Sequence, residues 1–245
     1  MVMLVNGEIK KGNQLVNEIF KNKKNSKDQN LIKPVIKFSK NEMWKMFLQT
    51  FREKYGYDFI RNEETLENIK ILFFYFLQDE EFFKCENLRS DITKPSFKKG
   101  LLIIGGYGLG KTDYFSVFEQ IFKYNLDLRF KCYAAKSLVL KYEHCASAAE
   151  KDYFFKDVSR PKMFIDDISS ERFASNYGKV DVIKDVLSNR YDKKLLTYAS
   201  CNYTNSDQCA KKTLEDIGLR YGPRIYDRFF EMFNIIEFKG SSLRL

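Results

Sequence analysis

The octapeptide Gly105-Gly106-Tyr107-Gly108-Leu109-Gly110-Lys111-Thr112 constrains this chain more than any other stretch, because it fits the pattern G-x-x-x-x-G-K-[ST] and stands between elements of the right kind. Before it, Leu101-Leu102-Ile103-Ile104 is a short continuous apolar run, the signature of a parallel strand buried on both faces. After it, the apolar positions from Tyr114 to Phe122 recur at helical spacing. Strand, loop and helix in that order aim backbone N–H groups and a helix N-terminus at a polyphosphate. Lys111 neutralises the β- and γ-phosphates, and the Thr112 hydroxyl is a ligand for Mg²⁺. The implied ligands are ATP and Mg²⁺, and the residues expected to hold them are Gly105, Gly106, Tyr107, Gly108, Leu109, Gly110, Lys111 and Thr112.

A second strand supplies the acidic half of such a site. Met163-Phe164-Ile165-Asp166-Asp167 ends in two carboxylates, where a P-loop enzyme needs one group for the metal and one for the attacking water. Asp166 is expected to hold the metal, mostly through water, and Asp167 to orient or deprotonate the nucleophile. Leu195 to Cys201 is a further apolar strand, ending at Asn202, which can hydrogen-bond the γ-phosphate or the water.

Periodicity along the chain predicts an α/β protein. Ser39-Lys40-Asn41-Glu42 is a capping box that opens a helix ending near Gly56, and a second helix spans about 63–77. Trp44, Phe47, Phe51, Phe73 and Phe76 give these helices more apolar surface than two helices can bury between themselves, so part of it must face the core or a partner. The pair is read as a small helical domain, residues 1–95, with a junction around Pro95. Beyond the loop, strands at 128–132, 163–165, 195–200 and 234–238 alternate with helices at 135–149, 180–190 and 205–232. A three-layer core over 96–245 with a five-stranded parallel sheet is therefore expected.

Composition excludes several chemistries. His144 is the only histidine, which removes Ser/His/Asp, Cys/His and multi-histidine metal catalysis. Five cysteines without C-x-x-C spacing predict neither a disulfide framework nor a zinc site, and fit a reducing cytoplasm. No apolar run is long enough for a signal peptide or a membrane span. The net charge of +9 accommodates a polyanionic partner, and the cluster Lys21, Lys23, Lys24 and Lys27 reads as a solvated linker or a phosphate-contacting arm.

Taken in succession, GGYGLGKT, FIDDISSE, the strand ending at Ser200-Cys201-Asn202, Arg224-Ile225-Tyr226-Asp227-Arg228-Phe229 and Gly240-Ser241-Ser242-Leu243-Arg244 resemble the AAA+ ATPases of the DnaC type. These are the replicative helicase loaders of bacteria and phages, and the resemblance covers about residues 96–245. It implies a three-layer P-loop AAA+ core without a C-terminal lid domain, preceded by helices that bind a ring-shaped replicative helicase. Asp166 with Asp167 would close the Walker B strand, Asn202 would be sensor 1, Arg228 the arginine finger given to a neighbouring subunit, and Arg244 sensor 2. Arg224, four residues before Arg228 on the same helical face, stays open as the finger. The resemblance further implies self-association through the finger, and single-stranded DNA held by Lys136 and Lys141 with Tyr142 as a stacking partner. Two positions depart from the family pattern: Ser169 stands where glycine is common, and Tyr107 replaces a small residue or proline. The expected activity is Mg-dependent ATP hydrolysis in DNA replication. A transposition helper of the IstB type shares the core, and a P-loop kinase or a scaffold that binds ATP without turnover are more distant readings.

Overall fold

The computed structural model describes residues 2–5, 8–11, 38–176 and 178–244. The chain divides into two compact units, Met1–Ile36 and Lys37–Leu245. The first contains an antiparallel hairpin of β1 (Val2–Val5) and β2 (Glu8–Lys11), with Val2 opposite Lys11. The lysine cluster of 21–27 lies outside the described residues.

The second unit opens with α1 (Lys40–Tyr55), whose capping box forms as the sequence predicts: the Glu42 N–H donates to Ser39 Oγ at 3.2 Å and the Ser39 N–H to Glu42 Oε2 at 2.9 Å. Gly56 ends it in the left-handed conformation, φ 78°. Next come α2 (Glu63–Leu77), a 3₁₀ turn (Glu80–Lys84), β3 (Gly100–Gly105) and α3 (Lys111–Ile121). Then follow β4 (Lys131–Ala134), α4 (Ala135–Glu143), α5 (Ala148–Asp157) and β5 (Lys162–Asp166). A short hairpin, β6 (Ala174–Ser175) and β7 (Lys179–Val180), leads to α6 (Val182–Asp192) and β8 (Leu196–Cys201). The unit closes with α7 (Ala210–Tyr221), α8 (Pro223–Met232) and β9 (Phe233–Phe238).

Five strands form one all-parallel sheet in the order β4-β5-β8-β3-β9, so β8 is inserted between the strand that leads to the phosphate loop and the strand that ends in the Asp pair. With helices on both faces of the sheet and a phosphate loop after β3, this is a three-layer α/β core. Alternation along each strand assigns its side chains to two cores. Leu102, Ile104, Met163 and Ile165 face the layer of α4 to α8, while Leu101, Ile103, Phe164 and Tyr198 face α1, α2 and α3.

Three boundaries differ from the sequence reading. The helix expected over 135–149 is two helices, because Ser147 and Glu150 form a capping box of their own that restarts the chain. The helical region of 205–232 breaks at Gly222, φ 91°, followed by Pro223 in the first turn of α8, where its missing N–H costs nothing. The division expected at residue 95 falls inside the second unit. Its physical reason is aromatic packing: Phe47 of α1 meets Phe118 of α3 at 5.5 Å between ring centroids and Phe73 of α2 at 5.6 Å, and Phe76 meets Phe118 at 4.7 Å. Backbone bonds seal the same join, since the Arg89 N–H donates to Ile235 O and the Glu237 N–H to Asn87 O along the outer edge of β9. The apolar surface of Phe47, Phe51, Phe73 and Phe76 is thus buried on the core.

A fragment covering 37–245 should therefore unfold in one cooperative transition, whereas one starting at 96 should lose it, because the exposed α3 face leaves several phenylalanines in water. Thermal melts by circular dichroism check this. Equal cooperativity in the two fragments would restore a boundary near 95.

Candidate functional site

The phosphate loop follows β3 directly, and two of its glycines are demanded by geometry. Gly108 and Gly110 have φ 74° and 79°, where side chains are strained. A Cβ on Gly108 would collide with the Ser242 hydroxyl, and one on Gly110 would lie 2.6 Å from the Tyr114 ring. The loop is therefore threaded between its own helix and the segment after β9, which is tied down by the Leu243 N–H donating to Gly108 O at 2.9 Å.

Around this loop the chain closes a cleft of about 440 Å³. Its polar end brings together Lys111, Thr112, Asp166, Asp167, Ser200, Asn202 and Arg244, which come from β3–α3, β5, β8 and the segment after β9. Parallel register explains the meeting, since these strands all end at the same sheet edge. Lys111 Nζ donates to Gly105 O at 2.8 Å, Gly106 O at 2.6 Å and Asn202 Oδ1 at 2.9 Å. Asn202 Nδ2 in turn donates to Asp167 Oδ1 at 2.7 Å. Burial pushes the Lys111 ammonium down to about 8, although Asp166 and Asp167 oppose that shift. A lysine so desolvated, and held by carbonyl oxygens alone on two of its bonds, gains from an arriving phosphate oxygen.

Thr112 Oγ1 donates to Asp166 Oδ2 at 2.8 Å, so two hard oxygen ligands sit side by side facing the cleft. Among the described residues no group of three or more potential metal-ligating side chains exists. Two protein oxygens suit Mg²⁺, which keeps waters and takes its remaining ligands from phosphates.

Asp167 has φ 59° and Ser169 φ 72°, both left-handed. The departure at Ser169 thus falls on a position whose backbone favours glycine. Two hydrogen bonds hold the loop there: the Ser169 N–H donates to the Tyr221 hydroxyl at 2.8 Å, and the Asp167 N–H donates to Ser200 Oγ at 3.0 Å. Ser200 Oγ also donates to Asp166 Oδ1, so one hydroxyl fixes both carboxylate residues. Nothing in periodicity singled Ser200 out; its only signal is a polar residue inside a buried strand. Glu171 is buried, accepts from Tyr221 and Arg220, and has its carboxyl raised chiefly by desolvation.

The opposite end of the cleft is aromatic and comes from the part of the chain before residue 95. Phe51, Tyr57, Phe59 and Ile60 line it, together with Tyr114, whose buried hydroxyl lacks a hydrogen-bond partner among the described residues. An apolar wall with one unspent polar atom can take a nucleobase. Sequence reading missed it because α1 and the loop after it looked like another domain.

The remaining candidates lie away from the cleft. Arg228 is nearly buried on α8, with Nη1 on Ser188 Oγ at 2.8 Å, Nη2 on Asp192 Oδ1 at 2.9 Å and its guanidinium over Tyr191. Arg224 is exposed one turn earlier. Lys136 and Lys141 are exposed on α4, with Lys141 Nζ 4.7 Å from the Tyr133 ring centroid. Tyr142 is buried against Phe154 and Phe155, which removes it as a stacking partner.

No protein family matches the chain at the level of sequence, and no curated protein does. Among solved structures, the crystal structure of the DnaC helicase loader superposes with a TM-score of 0.52 at 20% identity, covering 76% of this chain and 95% of that one. The core has the DnaC fold. A structure of DnaI covers 78% of this chain and 93% of its own at 19% identity, with a TM-score of 0.49. No helix among the described residues is long and apolar enough to cross a membrane.

Because the bound phosphate needs a charged Lys111, affinity for Mg·ATP should be flat up to about pH 8 and weaken above it by up to roughly tenfold per pH unit. The sign follows from a free-state ammonium that deprotonates near 8 and is held charged in the complex. Calorimetric titration across that range checks it, and Lys111→Ala should abolish binding. Affinity that stays constant to about pH 9.5 would separate Lys111 from the phosphates.

Proposed function

We propose that this protein is an ATPase that loads a ring-shaped replicative helicase onto single-stranded DNA. The observation that carries this reading is a complete P-loop site, with Lys111, Thr112, Asp166, Asp167, Asn202 and Arg244 on one cleft, in the fold of the DnaC helicase loader. The triphosphate lies along the loop with its base against Phe51, Tyr57, Phe59 and Ile60. Lys111 exchanges its carbonyl partners for phosphate oxygens, and the second Nδ2 hydrogen of Asn202, the one not given to Asp167, donates to the γ-phosphate. Thr112 and Asp166 would hold Mg²⁺, which when bound would supply positive charge beside the phosphate oxygens. Asp167, kept in place by Asn202 and Ser200, orients the attacking water and accepts its proton. Arg244 reaches the phosphates from the segment after β9.

Full turnover needs a cation from a second copy, because Arg228 and Arg224 line no part of their own cleft. We assign the finger to Arg228, which must leave Ser188 and Asp192 to reach a neighbour's γ-phosphate; self-association through this contact follows. Lys136 and Lys141 on α4 contact the DNA backbone. The helicase contact falls to residues 1–36, since the aromatic faces of α1 and α2 are occupied by the core.

Arg228→Ala should keep ATP affinity and lose turnover by at least about a hundredfold, whereas Asp192→Ala should not, since it removes only the resting partner. Mixing Arg228→Ala with Lys111→Ala subunits should restore part of the activity through one mixed competent site. If Arg224→Ala alone abolishes turnover, the finger moves one turn along α8.

For the partner, a chain lacking residues 1–36 should retain Mg·ATP binding and no longer co-purify with its cognate replicative helicase. Full-length protein that ignores the helicase with ATP present would shift the reading to a transposition helper.

A further inference from the structure

At the other end of α3, away from the phosphates, lies a groove of about 800 Å³ whose walls are strongly basic. It is lined by Lys54, Lys123, Arg129, Lys131, Arg160 and Lys162, against the two carboxylates of Glu119 and Asp127. Lys131 is neutralised by Glu119 at 2.9 Å and Arg160 by Asp157. Among the described residues, Lys54, Lys123, Arg129 and Lys162 have no ion-pair partner, and Lys54 Nζ rests on the neutral Ser116 hydroxyl. Lys162 is pushed below the usual lysine range by burial, a cost that an anion in the groove would offset.

The groove is distinct from both sites already described. Lys131 and Lys162 are the first residues of β4 and β5, whereas Asp166 ends β5, about 13 Å further along the sheet. Lys136 and Lys141 follow β4 on its far side. The wall at Arg160 and Pro161 is tied down from behind: the fully buried Arg190 guanidinium donates to Val158 O, Arg160 O and Leu196 O, and the Leu196 N–H donates to Pro161 O. Beside the cations stand two exposed apolar groups of the α3–β4 loop, Tyr124, 84% exposed, and Leu126, 56% exposed. Lys123 Nζ lies 5.3 Å from the Tyr124 ring centroid, so charge and π-face are presented together.

We infer that this groove is a binding site for single-stranded nucleic acid, with Lys54, Lys123, Arg129 and Lys162 taking backbone phosphates and Tyr124 stacking against a base. Unpaired cations along a groove track a phosphate backbone, and an exposed aromatic beside them is useful only to a strand whose bases are free to stack. A duplex keeps its base faces covered, and an acidic peptide leaves Tyr124 without a matching π-face. A loader and a transposition helper would both use such a groove, so helicase association can fail while strand binding persists.

The test is fluorescence anisotropy of labelled oligothymidylate, about twenty nucleotides long, with the full chain and Mg·ATP across a range of salt concentrations. Lys123→Ala with Arg129→Ala should weaken binding at least tenfold and reduce the slope of log affinity against log salt by about 1.4, two contacts at roughly 0.7 each. Tyr124→Ala should weaken it about tenfold and leave the slope unchanged. All three residues are exposed, so ATP affinity in these variants should equal that of the parent. Unchanged affinity and slope in the double variant, with the loss confined to Lys136→Ala and Lys141→Ala, would overturn the groove assignment and leave the α4 contact standing. Polyglutamate displacing the oligonucleotide at equal charge concentration would reassign the groove to an acidic protein, and absence of oligonucleotide binding by the parent would remove the site.

Discussion

Packing of α1 on α3 through Phe47 is the contact on which the rest of this architecture depends. Phe47 is fully buried and touches aromatic rings from α1, α2, α3 and the loop between the first two helices. One side chain therefore joins the helices before the P-loop to the helix after it, and truncating a phenylalanine in such a place costs about 3–5 kcal/mol. The stack continues inward, where Phe115 lies flat on Phe164 at 4.1 Å between centroids and couples α3 to the strand carrying Asp166. Rigid placement of α3 matters because its N-terminus holds Lys111 and Thr112 while its other end forms a wall of the basic groove.

The same contact gives the cleft its two-ended character. Its polar end is assembled from strand termini, as a parallel sheet requires, and its apolar end is supplied by Phe51, Tyr57, Phe59 and Ile60 only because α1 is docked where it is. Phe59 touches both Phe47 and Tyr114, so the wall and the core are continuous. The shape of that apolar wall and the stability of α1 are consequently one property of the chain, and changes in one should register in the other.

Most of the core was legible in the sequence because it obeys short-range rules. The capping box at Ser39, the glycine stop at Gly56 and the apolar runs of β3, β5 and β8 each carry their signal within a few residues. The P-loop residues, the Asp pair and Asn202 stand out in the sequence for the same reason, and their convergence on one cleft follows from parallel order. What escaped was long-range. Whether Phe47 and Phe76 face a partner or the core is undecidable from helical spacing, since both outcomes need the same amphipathic face. Ser200, Tyr114 and Tyr221 have roles only through residues brought to them by the fold, and no spacing announces them. The burial of Tyr142 likewise depends on α5, which the sequence reading had merged with α4.

Tyr221 shows how the parts of the site are joined across distance. It ends α7 one residue before Gly222 and the helix that carries Arg224 and Arg228, and its hydroxyl accepts from the Ser169 N–H while donating to buried Glu171. Ser169 and Asp167 both hold left-handed backbone, a conformation that costs of order 1–3 kcal/mol and persists only where surrounding bonds enforce it. The phenol is one of those bonds. Because Tyr221 adjoins the start of α8, that helix and the turn carrying Asp167 are joined through a single phenol.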